Sequence, residues 1–139
     1  MRLVLDTNVA ASGLLWDGPP RQLLQAGRER RVELFTSLAL LAELTDILDR
    51  RKFDKKIAAS LLTVDQLVDR YAALARVVRP AETGRITPDP DDDIVIGTAL
   101  AARADLVVTG DRALLTVSEH QGVRVVSVGA ALQLVAAAR

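Results

Sequence analysis

The sequence contains no cysteine, few aromatic residues and no excess of charge of either sign. Without cysteine, the chain can form no disulfide, no thiolate zinc site and no cysteine nucleophile. Aromatic residues make up 3% of the chain, so the core must consist of Leu, Val, Ile and Ala, and aromatic platforms for stacking bases are disfavoured. Because the net charge is zero, attraction of the whole molecule to a polyanion is excluded as well.

Long apolar runs are also absent. The N-terminal segment reaches Asp6 after a few apolar residues, which is too soon for a signal peptide. No apolar run is long enough to span a membrane. Together with the lack of cysteine, which suits a reducing compartment, these features predict a cytoplasmic protein without a membrane partner.

The composition that is present is typical of one folded domain. Half of the 139 residues are hydrophobic and 26% are charged, so we expect a single core and a single domain over residues 1–139. The charge is unevenly distributed, since residues 28–31 and 50–56 are basic while residues 89–93 are acidic. Basic runs of this kind are typical of solvated helix ends, and a local phosphate-binding patch is the alternative.

Five short runs rich in Val, Leu and Ile predict β-strands, and segments with helical spacing separate them. The predicted strands cover residues 2–6, 32–37, 75–80, 105–110 and 123–128. Strands that alternate with helices and are apolar on both faces are typical of a parallel sheet between two helical layers. The sequence therefore predicts an α/β fold, with a three-layer α/β/α arrangement around a central parallel sheet of about five strands.

Local signals predict where several helices begin. Residues 12–18 are expected to form a loop before a helix that starts at Pro19. Ser37 is a candidate cap for the helix after the second strand, and Asp89 for the helix before the fourth. A break near Thr63 should divide the helical stretch between the second and third strands.

Sites in open parallel α/β sheets form beyond the carboxyl ends of the strands, and acids from four segments fall in that region. These acids are Asp6, Glu43, Asp93 and Asp111. Each can be explained as a turn, cap or surface residue, and residues 91–93 alone fit a helix-dipole role equally well. If the acids gather, however, like charges about 4 Å apart repel by roughly 4 kcal/mol. Such a group needs raised pKa values or a divalent cation.

Polar neighbours of these acids favour the cation. Asn8 is placed to orient the Asp6 carboxylate, and Thr109 should direct a hydroxyl to the same rim. Carboxylates without Cys or His select Mg²⁺ or Mn²⁺ rather than zinc, and the single histidine, His120, is expected at the surface. A water made more acidic by such a metal is a suitable nucleophile for phosphodiester cleavage.

Four segments, taken in order, resemble a PIN domain, the nuclease fold of many bacterial toxins. They are "LVLDTNV", "LLAELTDIL" with Glu43, "DPDDDIVIGTALAARADLVVTGD" and the closing "VRVVSV", and they span nearly the whole chain. The stretch from Ser12 to Leu24 and the spelling "DPDDD" are similar to the subgroup described as the toxin component of toxin–antitoxin systems, the VapC-like PIN ribonucleases.

The resemblance implies a catalytic and metal-binding set with supporting polar residues around it. The set is Asp6, Glu43, Asp93 and Asp111, and the supporting residues are Asn8, Thr109 and Asp92. Asp93 is preferred as the third acid because it stands three residues before Ile96, and Asp92 is the rival, rotated by about 100° on the helix. The resemblance also implies a Mg²⁺ or Mn²⁺ cofactor, cleavage of single-stranded RNA, a homodimer and a cognate antitoxin protein.

Other functions fit the residues less well. A phosphatase with an aspartyl nucleophile would need a second acid where the chain has Asn8, and a receiver domain would need a lysine near the end, where none follows Lys56. Glycine-rich nucleotide-binding motifs are absent. The alternative that stays open is a catalytically weak or inactive PIN-like protein-interaction module.

Overall fold

Six strands form one sheet, and helices cover both of its faces, in the computed structural model, which describes residues 1–138. The strands are β1 (Arg2–Leu5), β2 (Glu33–Thr36), β3 (Arg76–Val77), β4 (Leu106–Val108), β5 (Glu119–His120) and β6 (Val123–Val126). The helices are α1 (Thr7–Leu15), α2 (Pro19–Arg28), α3 (Leu38–Leu48), α4 (Asp54–Ser60), α5 (Val64–Leu74), α6 (Pro90–Ala102), α7 (Arg112–Val117) and α8 (Val128–Ala137), with a 3₁₀ turn at Arg51–Phe53 before α4.

The strands lie in the order β3-β2-β1-β4-β6-β5, and every pairing except β5 with β6 is parallel. The predicted three-layer α/β fold around a mostly parallel sheet is therefore confirmed, with six strands rather than about five. The additional strand, β5, joins β6 through Gln121 and Gly122, which both have positive φ angles as a tight antiparallel hairpin requires. Its two polar residues give no apolar run by which the sequence could reveal it.

Side chains of the central strands alternate between two cores. Leu3 and Leu5 of β1 face the layer that contains α1, α2, α3, α5 and α8, while Val4 between them faces the layer of α6 and α7. The strand β4 repeats the arrangement, since Leu106 and Val108 face one layer and Val107 the other. Double-sided burial explains why these strands are apolar at every position after Arg2.

The first helix extends further than its sequence predicts. Residues 12–18 were expected to form a loop, whereas α1 continues to Leu15 and only three residues separate it from α2. Gly13 allows this because α2 packs closely against it: a Cβ at Gly13 would lie 2.9 Å from Cδ1 of Leu24. Gly13 therefore permits close packing of α1 against α2.

The third strand is shorter than predicted, with two residues instead of six. It lies at the edge of the sheet, pairs only with β2, and both of its residues are exposed. The chain leaves the sheet before Pro80, which has no N–H to donate to a strand ladder.

The predicted helix starts agree with the structure. The side chains of Ser37 and Asp89 cap α3 and α6, and a capping box at Thr63 begins α5 after the expected break.

Candidate active site

Asp6 lies at the carboxyl end of β1, at the centre of the sheet, and caps α1. Its side chain is only 5% exposed. The backbone N–H of Thr7 donates to Oδ1 at 2.8 Å and the hydroxyl of Thr109 donates to Oδ2 at 2.7 Å. Burial raises the pKa of Asp6 above its usual range, the two hydrogen bonds oppose that shift, and the nearby charge of Asp111 adds to it.

Thr109 and Asp111 reach Asp6 because β1 and β4 are parallel neighbours. Leu5 lies beside Val108, so the next residue of each strand, Asp6 and Thr109, leaves the sheet at the same edge. Thr109 is fully buried, and its Oγ1 accepts a hydrogen bond of 3.0 Å from the backbone N–H of Asp111. The Asp111 carboxylate caps α7 by accepting from Ala113 and Leu114. As the sequence predicts, Thr109 directs its hydroxyl to this rim, where it donates to the Asp6 carboxylate.

Glu43 projects from α3 toward the same edge. Thr7 donates from its hydroxyl to Oε1 of Glu43 at 2.9 Å, while its backbone N–H binds Asp6. Thr7 is therefore a bridge between two acids of the site. Burial raises the pKa of Glu43, the Thr7 hydrogen bond opposes the shift, and the charges of Asp6, Asp91 and Asp89 add to it.

Asp92, not Asp93, faces these acids. Asp92 is 8% exposed and shares one face of α6 with Val95, Ile96 and Ala99, which are buried against the sheet. Burial raises the pKa of Asp92 to about 6, and the negative charges of Asp111, Asp89, Asp6 and Glu43 contribute to the shift. Three of these four acids are the predicted site residues, so Asp92 lies within electrostatic reach of all of them. We define Asp6, Glu43, Asp92 and Asp111 as the acidic cluster.

Asp93 points instead to the loop that precedes α6. Its Oδ1 accepts hydrogen bonds from the backbone N–H of Thr87 at 2.8 Å, from the Thr87 hydroxyl at 3.0 Å and from the backbone N–H of Ile86 at 3.3 Å. The loop packs closely on this side of α6, since a Cβ at Gly97 would lie 2.4 Å from the carbonyl oxygen of Ala81. The structure thus separates Asp93 from the acids with which the sequence grouped it, because one residue changes direction by about 100° on a helix.

Two smaller expectations about polar residues are corrected. Asn8 is exposed, and no hydrogen bond joins it to Asp6 within residues 1–138; Thr7 fills the orienting role instead. The sequence signal for Thr7 was present, since it follows the strand-ending acid directly and can donate hydrogen bonds from both its N–H and its hydroxyl. His120, expected at the surface, is half-buried in β5, and its Nε2 is buried without a hydrogen-bond partner among the described residues.

The donor atoms of the acidic cluster suit a hard divalent cation. They are carboxylate oxygens, two of them already oriented by threonine hydroxyls, and their mutual repulsion favours a positive ion between them. In the part of the chain that the structure describes, no three metal-ligating side chains already surround a single point. The chemistry of the residues therefore fits such an ion, while the side chains stand apart from a closed coordination geometry.

No helix among residues 1–138 is both long and apolar enough to cross a membrane.

Comparison with known proteins identifies the family. The family model described as PIN domain matches residues 2–113, most of the chain and all four members of the acidic cluster. No curated protein matches the chain. PIN domains are generally nucleases, and PIN nucleases generally use divalent metals. The match agrees with the sheet order, with the acids at its carboxyl edge and with the resemblance carried by the sequence segments. The chain belongs to the PIN domain family.

Proposed function

We propose that this protein is a Mg²⁺- or Mn²⁺-dependent endoribonuclease that cleaves phosphodiester bonds in single-stranded RNA. The family supplies the general class, since PIN domains are generally nucleases. The observation that carries the proposal is the environment of Asp92, whose pKa is raised to about 6 by burial and by the charges of Asp111, Asp6 and Glu43, among others. Four like charges from four elements, with Asp6 and Asp92 buried, are typical of a cation-binding active site.

Asp6, Glu43, Asp92 and Asp111 would hold the metal, with Asp92 in the place for which the sequence favoured Asp93. When bound, the ion supplies positive charge to a phosphate oxygen and makes a bound water more acidic. Thr109 and Thr7 fix the orientations of Asp6 and Glu43 by hydrogen bonds of 2.7 and 2.9 Å. The helix α6 holds Asp92 in register, because its neighbours on the same face are buried against β1 and β4.

The biological role that we propose is that of the toxin in a toxin–antitoxin pair. The sequence similarity of residues 12–24 and of the acidic run to such toxins supports this role. The proposed toxin role implies a homodimer, inhibition by a cognate antitoxin protein and a cytoplasmic location. A neighbouring reading frame that suppresses the growth defect caused by expression of this chain would support it, and expression without any growth defect would contradict it.

The catalytic part of the proposal is tested by cleavage of a single-stranded RNA in the presence of Mn²⁺. We expect Asp6→Asn and Asp92→Asn to lower the cleavage rate by at least about 100-fold, because even residues that only orient metal ligands contribute 10–100-fold. Asp93→Asn is the matched control, since it is the same substitution one residue further along α6, and it should keep the wild-type rate.

Three outcomes discriminate between the hypotheses. If Asp93→Asn loses cleavage while Asp92→Asn keeps full activity, Asp93 rather than Asp92 is the metal-binding acid of α6. Equal cleavage by the wild type and all three variants would place the activity elsewhere. A wild-type protein that cleaves no RNA with either metal would contradict the nuclease proposal and favour the interaction module.

A further inference from the structure

Two adjoining cavities lie on the side of the molecule away from the acidic cluster. The larger has a volume of about 540 Å³ and is bounded by α2, β2, α5 and β3, and the smaller, of about 300 Å³, by α1, α2, the end of α4 and α5. Arg28 lines both. Their other charged residues are Arg21, Arg30, Arg70, Arg76 and Glu33. We call the two cavities together the arginine groove.

The groove lies at the amino edge of the sheet. Glu33, the first residue of β2, pairs with Arg2 at the start of β1, whereas Asp6 and Thr109 follow the last residues of β1 and β4. Arg76 pairs with Phe35 and lies nearer the middle of the sheet. Gly13, in the smaller cavity, is seven residues beyond Asp6, or about 10 Å along the axis of α1. The arginine groove is therefore a separate surface and shares no residue with the acidic cluster.

Positive charge is concentrated in the groove although the whole chain is neutral. Five arginines and one glutamate line it, and the carboxylate of Asp17 pairs with Arg21, which leaves three net positive charges. Arg21 is held in place, since its guanidinium donates to the carbonyl oxygens of Gly13 and Leu14 and to the carboxylate of Asp17. Among residues 1–138, no carboxylate lies within ion-pair distance of Arg28, Arg30, Arg70 or Arg76.

We propose that the arginine groove binds the phosphates of a single-stranded nucleic acid at a distance from the acidic cluster. The planar guanidinium presents a fork of donors that matches phosphate oxygens, and arginines on three elements offer successive contacts along a chain. Leu14, Leu62 and Leu67 also line the smaller cavity and can pack against the sugars between two phosphates. The choice of a nucleic acid over another polyanion rests on the proposed ribonuclease function.

The test is fluorescence anisotropy with a labelled single-stranded RNA in EDTA, where metal-dependent cleavage is absent and a gel confirms that the RNA is intact. The measured quantities are the Kd and the slope of log K against log salt concentration. For the double variant Arg28→Gln/Arg70→Gln we expect a Kd at least about tenfold higher, because two charge-assisted contacts are lost. The salt slope should become shallower by about 1.4, at roughly 0.7 for each phosphate contact.

The matched control is Arg103→Gln/Arg124→Gln, which removes the same charge from two exposed arginines that line neither cavity. It should bind RNA like the wild type. Equal weakening by both double variants would overturn the proposal, because the effect would then come from net charge. So would a groove variant with unchanged Kd and slope, or a wild type that does not bind RNA in EDTA. Because no cleavage is measured, these results leave the nuclease proposal to its own test; binding without cleavage in Mn²⁺ would contradict only the latter.

Discussion

The acidic cluster and the arginine groove lie at opposite edges of one sheet. Their like charges differ in burial and in hydrogen bonding. Asp6 and Asp92 are buried, hydroxyl and N–H groups hold the carboxylates of Asp6 and Glu43, and burial raises the pKa values of all three acids. Arg28 and Arg70, by contrast, are exposed, and neither has an ion-pair partner among residues 1–138.

The two regions differ in how much free energy their like charges cost the folded state. Carboxylates that are withdrawn from water and crowded by other carboxylates are less stable in the charged form than they are in an unfolded chain. Arginines that stay in water keep their hydration, so their assembly costs the fold little. We therefore expect neutralisation to stabilise the acidic cluster and to leave the stability of the arginine groove nearly unchanged.

The largest effect on stability should come from Asp92. Its pKa is about 6 in the folded protein against 3.8 for the ordinary group, so the folded state binds this proton more tightly. The free energy of unfolding should then fall as the pH rises from about 4 to about 6 and stay low above that range. Asparagine does not ionise, so Asp92→Asn should avoid this fall in the free energy of unfolding. The variant should be more stable than the wild type at pH 7 by on the order of 3 kcal/mol.

Thermal or urea unfolding of both proteins at several pH values measures this difference. Asp93→Asn serves as the control and should not become more stable at pH 7, because it gives up acceptor capacity toward Ile86 and Thr87. Mg²⁺ should raise the Tm of the wild type more than that of Asp92→Asn. A difference between wild type and Asp92→Asn that does not change with pH would contradict the assigned environment of Asp92.

A somewhat smaller effect is expected from Thr109→Val, which keeps the shape of the side chain and removes the hydroxyl that binds Asp6 at 2.7 Å. The pKa of Asp6 should rise further, and its carboxylate should lose orientation. If the protein is the proposed nuclease, cleavage at limiting Mn²⁺ should fall by about 10–100-fold and recover in part at high Mn²⁺.

Thr116→Val provides the comparison for that experiment. The Thr116 hydroxyl donates only to the carbonyl oxygen of Arg112 within α7, so its removal should leave cleavage unchanged. If Thr109→Val cleaves RNA at the wild-type rate at every Mn²⁺ concentration, the hydroxyl does not position Asp6 for the reaction.

The smallest effect is predicted for the stability of Arg28→Gln/Arg70→Gln. Both side chains are exposed and neither forms an ion pair within residues 1–138, so the free energy of unfolding should change by less than about 0.5 kcal/mol. Urea unfolding at low and high salt measures it. A loss of more than about 1 kcal/mol would show that these arginines hold α2 and α5 together, and the difference between the two regions would disappear.

Much of the fold is predictable because its signals are local. The apolar runs of β1, β4 and β6 indicate strands buried on both faces, and the caps at Ser37, Thr63 and Asp89 mark helix starts. The sequence-based prediction of helices and strands fails where tertiary packing overrides such local signals. A glycine at position 13 continues a helix because α2 packs against it, and β5 is a strand only because β6 lies beside it.

The sequence was sufficient to predict that acids would meet at one edge of a parallel sheet. Asp6 directly follows β1, Asp111 is the third residue after β4, and the carboxyl ends of neighbouring parallel strands lie at the same edge. It did not determine which acid of α6 joins them, because that helix is apolar on nearly every side and so does not reveal its buried face. In the tertiary structure Asp92 is the acid that joins them, because packing of Val95, Ile96 and Ala99 sets the rotation of α6. The arginine groove also exists only in three dimensions, because its arginines come from α2, α5 and the segments between them.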